Sequence, residues 1–141
     1  MFEVNVDEKA QANGLAMIVS DLIRQNIKNA PWKEGDAKSI RGDISIFAQD
    51  AGVKITLSFR GDKLVVMDGE SPHSSISITA DTPSLLDISR IKLIAKIPFF
   101  LDADGIKVIK NMIGMKVKMK ISSPLKALDM FRLLRVFSIY S

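Results

Sequence analysis

Between residues 7 and 28 the apolar side chains Leu15, Ile18, Val19, Leu22, Ile23 and Ile27 recur at helical spacing. This stripe predicts an amphipathic helix with Asp7 as its N-cap. Ala30-Pro31-Trp32 ends it, and the polar run KEGDAK that follows reads as a loop. From about Ile40 the period changes from 3.6 to 2. Ile44 and Ile46, then Val53, Ile55, Leu57 and Phe59, alternate with polar residues around the turn Asp50-Ala51-Gly52. Arg60-Gly61-Asp62 turns the chain into Leu64, Val65, Val66 and Met67, and Asp68-Gly69-Glu70-Ser71-Pro72 leads to the strand Ser75-Ile76-Ser77-Ile78-Thr79. Four successive strands on short turns predict an antiparallel meander, apolar on one face and covered by helices on that face alone.

Asp81-Thr82-Pro83 starts a helix with a capping side chain and a proline in its first turn, and Leu85, Leu86 and Ile88 face inward from it. The next stretch, residues 91–115, is the most apolar in the chain. Ile97, Phe99, Phe100 and Leu101 surround Pro98, which forbids one continuous helix. Asp102, Asp104 and Gly105 break the run before Ile106, Ile109, Met112 and Ile113 resume at helical spacing. Two short apolar helices around a kinked loop are expected. They form either the lid of a core or the wall of a cavity for an apolar ligand, and the residue types suit both. Residues 115–121, MKVKMKI, alternate strictly and predict a strand with its lysines in water. Ser123-Pro124 opens a last helix, with Ala127, Met130, Phe131, Leu134 and Phe137 on one side and Asp129, Arg132 and Arg135 on the other.

Composition sets bounds on function. The 141 residues, 47% hydrophobic and 26% charged, fit a single domain over 1–141 with a full core. With no cysteine there is no thiol nucleophile, disulfide or zinc-thiolate site. No run reaches the length of a membrane span and no signal peptide precedes residue 10, so a soluble cytoplasmic protein is expected. Residues 1–90 carry 10 Lys/Arg against 13 Asp/Glu, whereas residues 91–141 carry 10 against 3. The most apolar and the most basic parts therefore coincide. Such a pairing suits transient contact with an anionic membrane through Lys107, Lys110, Lys116, Lys118, Lys120, Arg132 and Arg135, and it also suits a merely solvated basic face.

Catalytic chemistry finds little support. The single histidine, His73, lies in a turn beside Ser71 and Ser74 without a partner that spacing guarantees. Asp102-Ala103-Asp104-Gly105 resembles the start of a calcium loop but lacks the later ligands. The scattered Gly61, Gly69 and Gly105 form no phosphate cradle. A lipid isomerase using Asp102 or Asp104 as base is the one enzymatic alternative, and neither a metal nor a cofactor is implied. The lysine row of the last strand has no interleaved aromatic residues for base stacking, which argues against a nucleic-acid partner.

The order of these elements carries a resemblance. A helix, strand pairs, the Asp68-Gly69 turn, the Ser-Ile-Ser-Ile-Thr strand running into a capped helix, the apolar stretch, then Gly114-Met115-Lys116-Val117-Lys118-Met119-Lys120 and a leucine-rich terminal helix are similar to the sterol carrier protein type 2 family. The likeness is best over residues 42–135. It departs at Ser122-Ser123-Pro124, where the family often has Gly-Asp, and at Ile139-Tyr140-Ser141, which is not a peroxisomal address. The resemblance implies an α+β fold, a five-stranded, largely antiparallel sheet with helices packed on one face and an apolar tunnel between them. It further implies non-catalytic binding or transfer of a sterol, fatty acyl chain or other apolar small molecule. The residues expected to line the tunnel are Ile97, Phe99, Phe100, Leu101, Ile109, Met112, Ile113, Met130, Phe131 and Leu134. The alternative is an accessory module that uses the same apolar groove to bind a protein or a second copy as a homodimer.

Overall fold

The computed structural model describes residues 2–94, 97–99, 104, 106, 110 and 117–140. Its main sheet is built from β1 (Glu3–Val6), β2 (Arg41–Ala48), β3 (Val53–Arg60), β4 (Lys63–Asp68), β5 (Ser74–Ala80) and β8 (Val117–Ile121), in the spatial order β1-β4-β3-β2-β5-β8. The sheet is six-stranded and mixed, not five-stranded and largely antiparallel. β1 runs parallel to β4, and β5 runs parallel to β2. Phe2, Val4 and Val6 alternate as a strand should, but four residues at a sheet edge are too few to stand out from the helix signal that follows.

β2, β3 and β4 form the expected meander, and Gly61 at φ 84° supplies the left-handed residue that the two-residue turn between β3 and β4 needs. β5 departs from it. The chain leaves β4 and crosses the polar face of β3 and β2 before pairing on the far side of β2. Thr56 Oγ1 donates to the carbonyl of Gly69 at 2.8 Å, Ser71 Oγ donates to Asp43 Oδ2 at 2.8 Å, and Ser45 hydrogen-bonds Ser74. These hydroxyls satisfy the crossing segment, and Ser45 and Thr56 are buried beneath it. The short link suffices because β4 ends opposite Ile55, level with Ile46, while β5 begins near Asp43.

The opposite face is apolar throughout. Ile44, Ile46, Ile55, Leu57, Leu64, Val66, Ile76 and Ile78 are buried there beneath the helices. Four α-helices lie wholly within the described residues: α1 (Gly14–Asn29), α2 (Lys33–Ser39), α3 (Thr82–Ser89) and α4 (Lys126–Phe137). α1 starts six residues later than expected, after a 3-10 turn over Glu8–Ala10, because Asn13 and not Asp7 caps it. Asn13 Oδ1 accepts from Ala16 N–H at 3.2 Å, and its Nδ2 donates to Lys54 O and to Asp68 Oδ1. The cap is thus fixed by β3 and β4. The expected loop over 33–38 is helical, since α2 buries Ala37 in the core and anchors Lys33 to the end of the chain. α3 begins as expected, with Asp81 Oδ1 accepting from Ser84 N–H at 2.8 Å.

Within residues 91–115, where two helices were expected, β6 (Lys92–Ile94) and β7 (Ile97–Phe99) pair as an antiparallel hairpin. β-branched isoleucines and Pro98, which cannot donate to a helical turn, suit a short edge strand. Asp104, Ile106 and Lys110 are helical. On α4 the expected sidedness is partly reversed. Asp129 is buried, held by Arg132 at 2.8 Å and Lys126 at 3.4 Å, whereas Phe131 faces outward.

Candidate apolar site

An apolar cleft opens where α1, α3 and the end of α4 meet the sheet. Leu15, Ile18, Val19 and Leu22, spaced i, i+3, i+4 and i+7, form the α1 wall; Thr82, Leu85 and Leu86 form the α3 wall; Ile46 and Phe137 complete it. Thr82 is the one polar residue of the nine, and the cleft volume is about 70 Å³. At its mouth Ile18 is 55% and Leu86 43% exposed, whereas Leu15, Val19, Ile46 and Phe137 are buried. The helical pattern of α1 predicts a core stripe but cannot show that Ile18 and Leu22 sit at an opening, because that depends on how far α3 stands from α1.

Of the residues expected to line a tunnel, Leu134 is packed into the core, Met130 is half-buried against it, and Phe131 is 48% exposed. None of these three belongs to the walls of the cleft. Ile97 and Phe99 lie in the β6–β7 hairpin, and Phe100, Leu101, Ile109, Met112 and Ile113 lie outside the described residues.

The cations divide into two groups. Lys118 and Lys120 are exposed on the polar face of β8, paired in register with Thr79 and Ser77, so they lie across the sheet from the cleft. Lys110 is also exposed, and Lys107 and Lys116 lie outside the described residues. Arg132 and Arg135 are spent within the fold, on Asp129 at 2.8 Å and on Asp36 at 2.7 Å.

Behind the cleft, buried polar groups tie down the residues after α4. Asn26 Nδ2 donates to the carbonyls of Val136 and Phe137, both at 2.9 Å, and Lys33 Nζ donates to those of Ser138 at 2.6 Å and Tyr140 at 2.5 Å. Positive charge at a helix C-terminus meets the negative end of the helix dipole. Burial nevertheless pushes the Lys33 ammonium down to about 8, against the opposing pull of Asp36. Ser138 Oγ donates to Ile91 O at 2.7 Å and Ile139 N–H to Ser89 O at 2.8 Å, so this strap also holds the end of α3.

Among the described residues no group of three or more His, Asp or Glu is placed to hold a metal, and no helix is long and apolar enough to cross a membrane. His73 is exposed in its turn, where its backbone N–H donates to Ser71 Oγ.

No family model and no curated protein matches the chain. Solved structures do. A UbiJ-SCP2 ubiquinone synthesis protein superposes with a TM-score of 0.55 at 11% identity, over 85% of this chain and 90% of its own. Sterol carrier protein 2 superposes with a TM-score of 0.53 at 10% identity, over 84% and 90% of the two chains. The sec-alkylsulfatase Pisa1 from Pseudomonas sp. gives a TM-score of 0.54 at 18% identity over 90% of this chain, which spans only 17% of that enzyme. A mixed sheet with helices on its apolar face, matched along nearly the full length of two SCP2 proteins, gives this chain an SCP-2-like α+β fold.

Proposed function

We propose that this chain is a non-catalytic carrier of an apolar ligand, a lipid or similar small molecule, held between the apolar face of the sheet and the helices. The observation that carries this reading is the cleft between α1 and α3, walled by eight apolar residues and one threonine, with Ile18 and Leu86 left exposed at its mouth. Isolated exposed apolar residues need no explanation, but an isoleucine and a leucine that together rim an apolar opening onto the core do. The SCP-2-like fold supports the same reading, since one of its solved neighbours is named as a sterol carrier.

The energetics favour modest affinity. A chain of about fifteen methylenes gains roughly 12 kcal/mol gross on burial, at about 0.8 kcal/mol each. Association costs of about 4–15 kcal/mol offset much or all of this, so binding no tighter than about micromolar and broad in specificity is expected. Encounter with an anionic membrane is assigned to Lys118 and Lys120, the exposed cations of β8. No covalent step is part of this function.

Native mass spectrometry of the mildly purified protein, followed by organic extraction, tests the proposal. A co-purifying apolar mass, or uptake of an added fluorescent fatty acid, is expected. A ligand-free monomer that ignores both fatty acids and sterols would overturn it.

A further inference from the structure

We propose that the outer ridge of α4 enters an anionic bilayer when cargo is delivered; this rests on the carrier reading above and names the element that meets the membrane. α4 is apolar on two sides. Leu133, Leu134, Val136 and Phe137 are buried in the core, whereas Leu125, Leu128 and Phe131, spaced i, i+3 and i+6, face outward. Leu125, in the turn that enters the helix, is 80% exposed and Leu128 is 59% exposed. Ile121, at the end of β8, is also exposed just before them. Scattered apolar residues are ordinary on a surface, but three on one ridge of a helix whose other side already fills the core mark a contact site.

The charges around the ridge decide what it meets. Residues 117–137 hold five cations, Lys118, Lys120, Lys126, Arg132 and Arg135, and one acid, Asp129. Asp129 is buried between Lys126 and Arg132, so this stretch turns no free carboxylate outward. A second copy packed ridge to ridge would set these cations against their own kind. An anionic bilayer attracts them instead, and it accepts leucine and phenylalanine side chains beneath its headgroups. Lys118 and Lys120 lie on β8, the outermost strand at one edge of the sheet, and Ile121 follows them directly. The exposed lysines are thus continuous along the chain with the apolar ridge. Arg135 binds Asp36 of α2 at 2.7 Å and so holds α4 in place. Insertion needs no unpacking of the helix, because its buried side stays in the core.

The chain has no cysteine, so Leu125→Cys carries a single nitrobenzoxadiazole label, and Asp62→Cys in the turn between β3 and β4 gives the control site. Each labelled protein is mixed with vesicles of phosphatidylglycerol or of phosphatidylcholine. With phosphatidylglycerol the label at position 125 is expected to brighten severalfold and to be quenched by lipid brominated on its acyl chains, while the label at position 62 does neither. In unlabelled protein, Leu125→Asn with Leu128→Asn is expected to lower co-sedimentation with phosphatidylglycerol vesicles at least tenfold. Uptake of an anthroyloxy-labelled fatty acid from solution should keep its wild-type rate in that variant, because neither residue walls the cleft. A label at position 125 that stays dim on vesicle-bound protein would overturn insertion alone, and so would a wild-type dimer that the double variant loses. A wild-type protein that takes up no fatty acid would overturn the carrier reading and this delivery role with it.

Discussion

The Lys33 ammonium donates to the carbonyl oxygen of Ser138 at 2.6 Å, within a fully buried contact that joins the start of α2 to the residue after α4. Tyr140 O takes a second bond from the same nitrogen. Lys33→Met would leave both carbonyl oxygens without this donor. The variant is expected to lose about 1–3 kcal/mol of unfolding free energy at neutral pH, read from urea midpoints at unchanged m-value.

The same lysine makes stability depend on pH. Its value is lowered from 10.5 to about 8 in the folded protein, so between these values the unfolded chain binds more protons and stability rises with pH. Below about pH 8 both states are protonated and the cost of burying the charge is present in full; above 10.5 it is gone. The neutral amine keeps two N–H donors for its two carbonyls, so the strap survives deprotonation. From pH 8 to 10 the wild type is expected to gain stability relative to Lys33→Met. Parallel curves for the two proteins would contradict the assignment.

Two neighbouring residues of α4 are expected to behave oppositely on substitution. Phe131 is 48% exposed and Leu134 only 7%. Phe131→Asp should change stability by no more than about 0.5 kcal/mol. Leu134→Ala should cost about 2–5 kcal/mol, because it leaves a cavity in the core. Thermal unfolding of both variants checks the pair, and a Phe131→Asp protein as unstable as Leu134→Ala would mean that Phe131 is covered.

The contrast on α4 shows what a periodic pattern reveals. Residue spacing marks α1, α3, α4, the β2–β3–β4 meander and the lysine-bearing β8 because each is set by neighbours within a few positions. The parallel β2–β5 pair was not legible, since it depends on Thr56 and Ser45 bonding a segment more than a dozen residues away. Lys33 and Asp129 read as surface charges, and only their partners on other turns or elements make them interior groups. The α1 wall of the cleft was legible as an apolar stripe. Its opening was not, because the position of α3 depends on partners far along the chain, Ile139 at Ser89 and Asp50 at Thr82.

The exposed lysines of β8 carry a separate expectation. Lys118→Glu with Lys120→Glu reverses the charge on one edge of the polar sheet face, where each cation near an anionic bilayer contributes about 1 kcal/mol. Co-sedimentation with phosphatidylglycerol vesicles should fall at least tenfold in the double variant. It should also fall for the wild type as salt shortens the Debye length below about 8 Å. Binding unchanged in both arms would make these lysines solubilising groups only.

The central claim is that an apolar ligand occupies the space between α1 and α3, and Val19 offers the most direct test because it lines the cleft while its backbone is fixed in α1. Val19→Phe fills about two to three methylene equivalents of that space at a cost in stability of about 1–3 kcal/mol. Fluorescence titration with a labelled fatty acid should give about micromolar binding for the wild type and at least tenfold weaker binding for Val19→Phe, with both proteins folded. Equal affinity in the two proteins would place the ligand elsewhere and contradict the account.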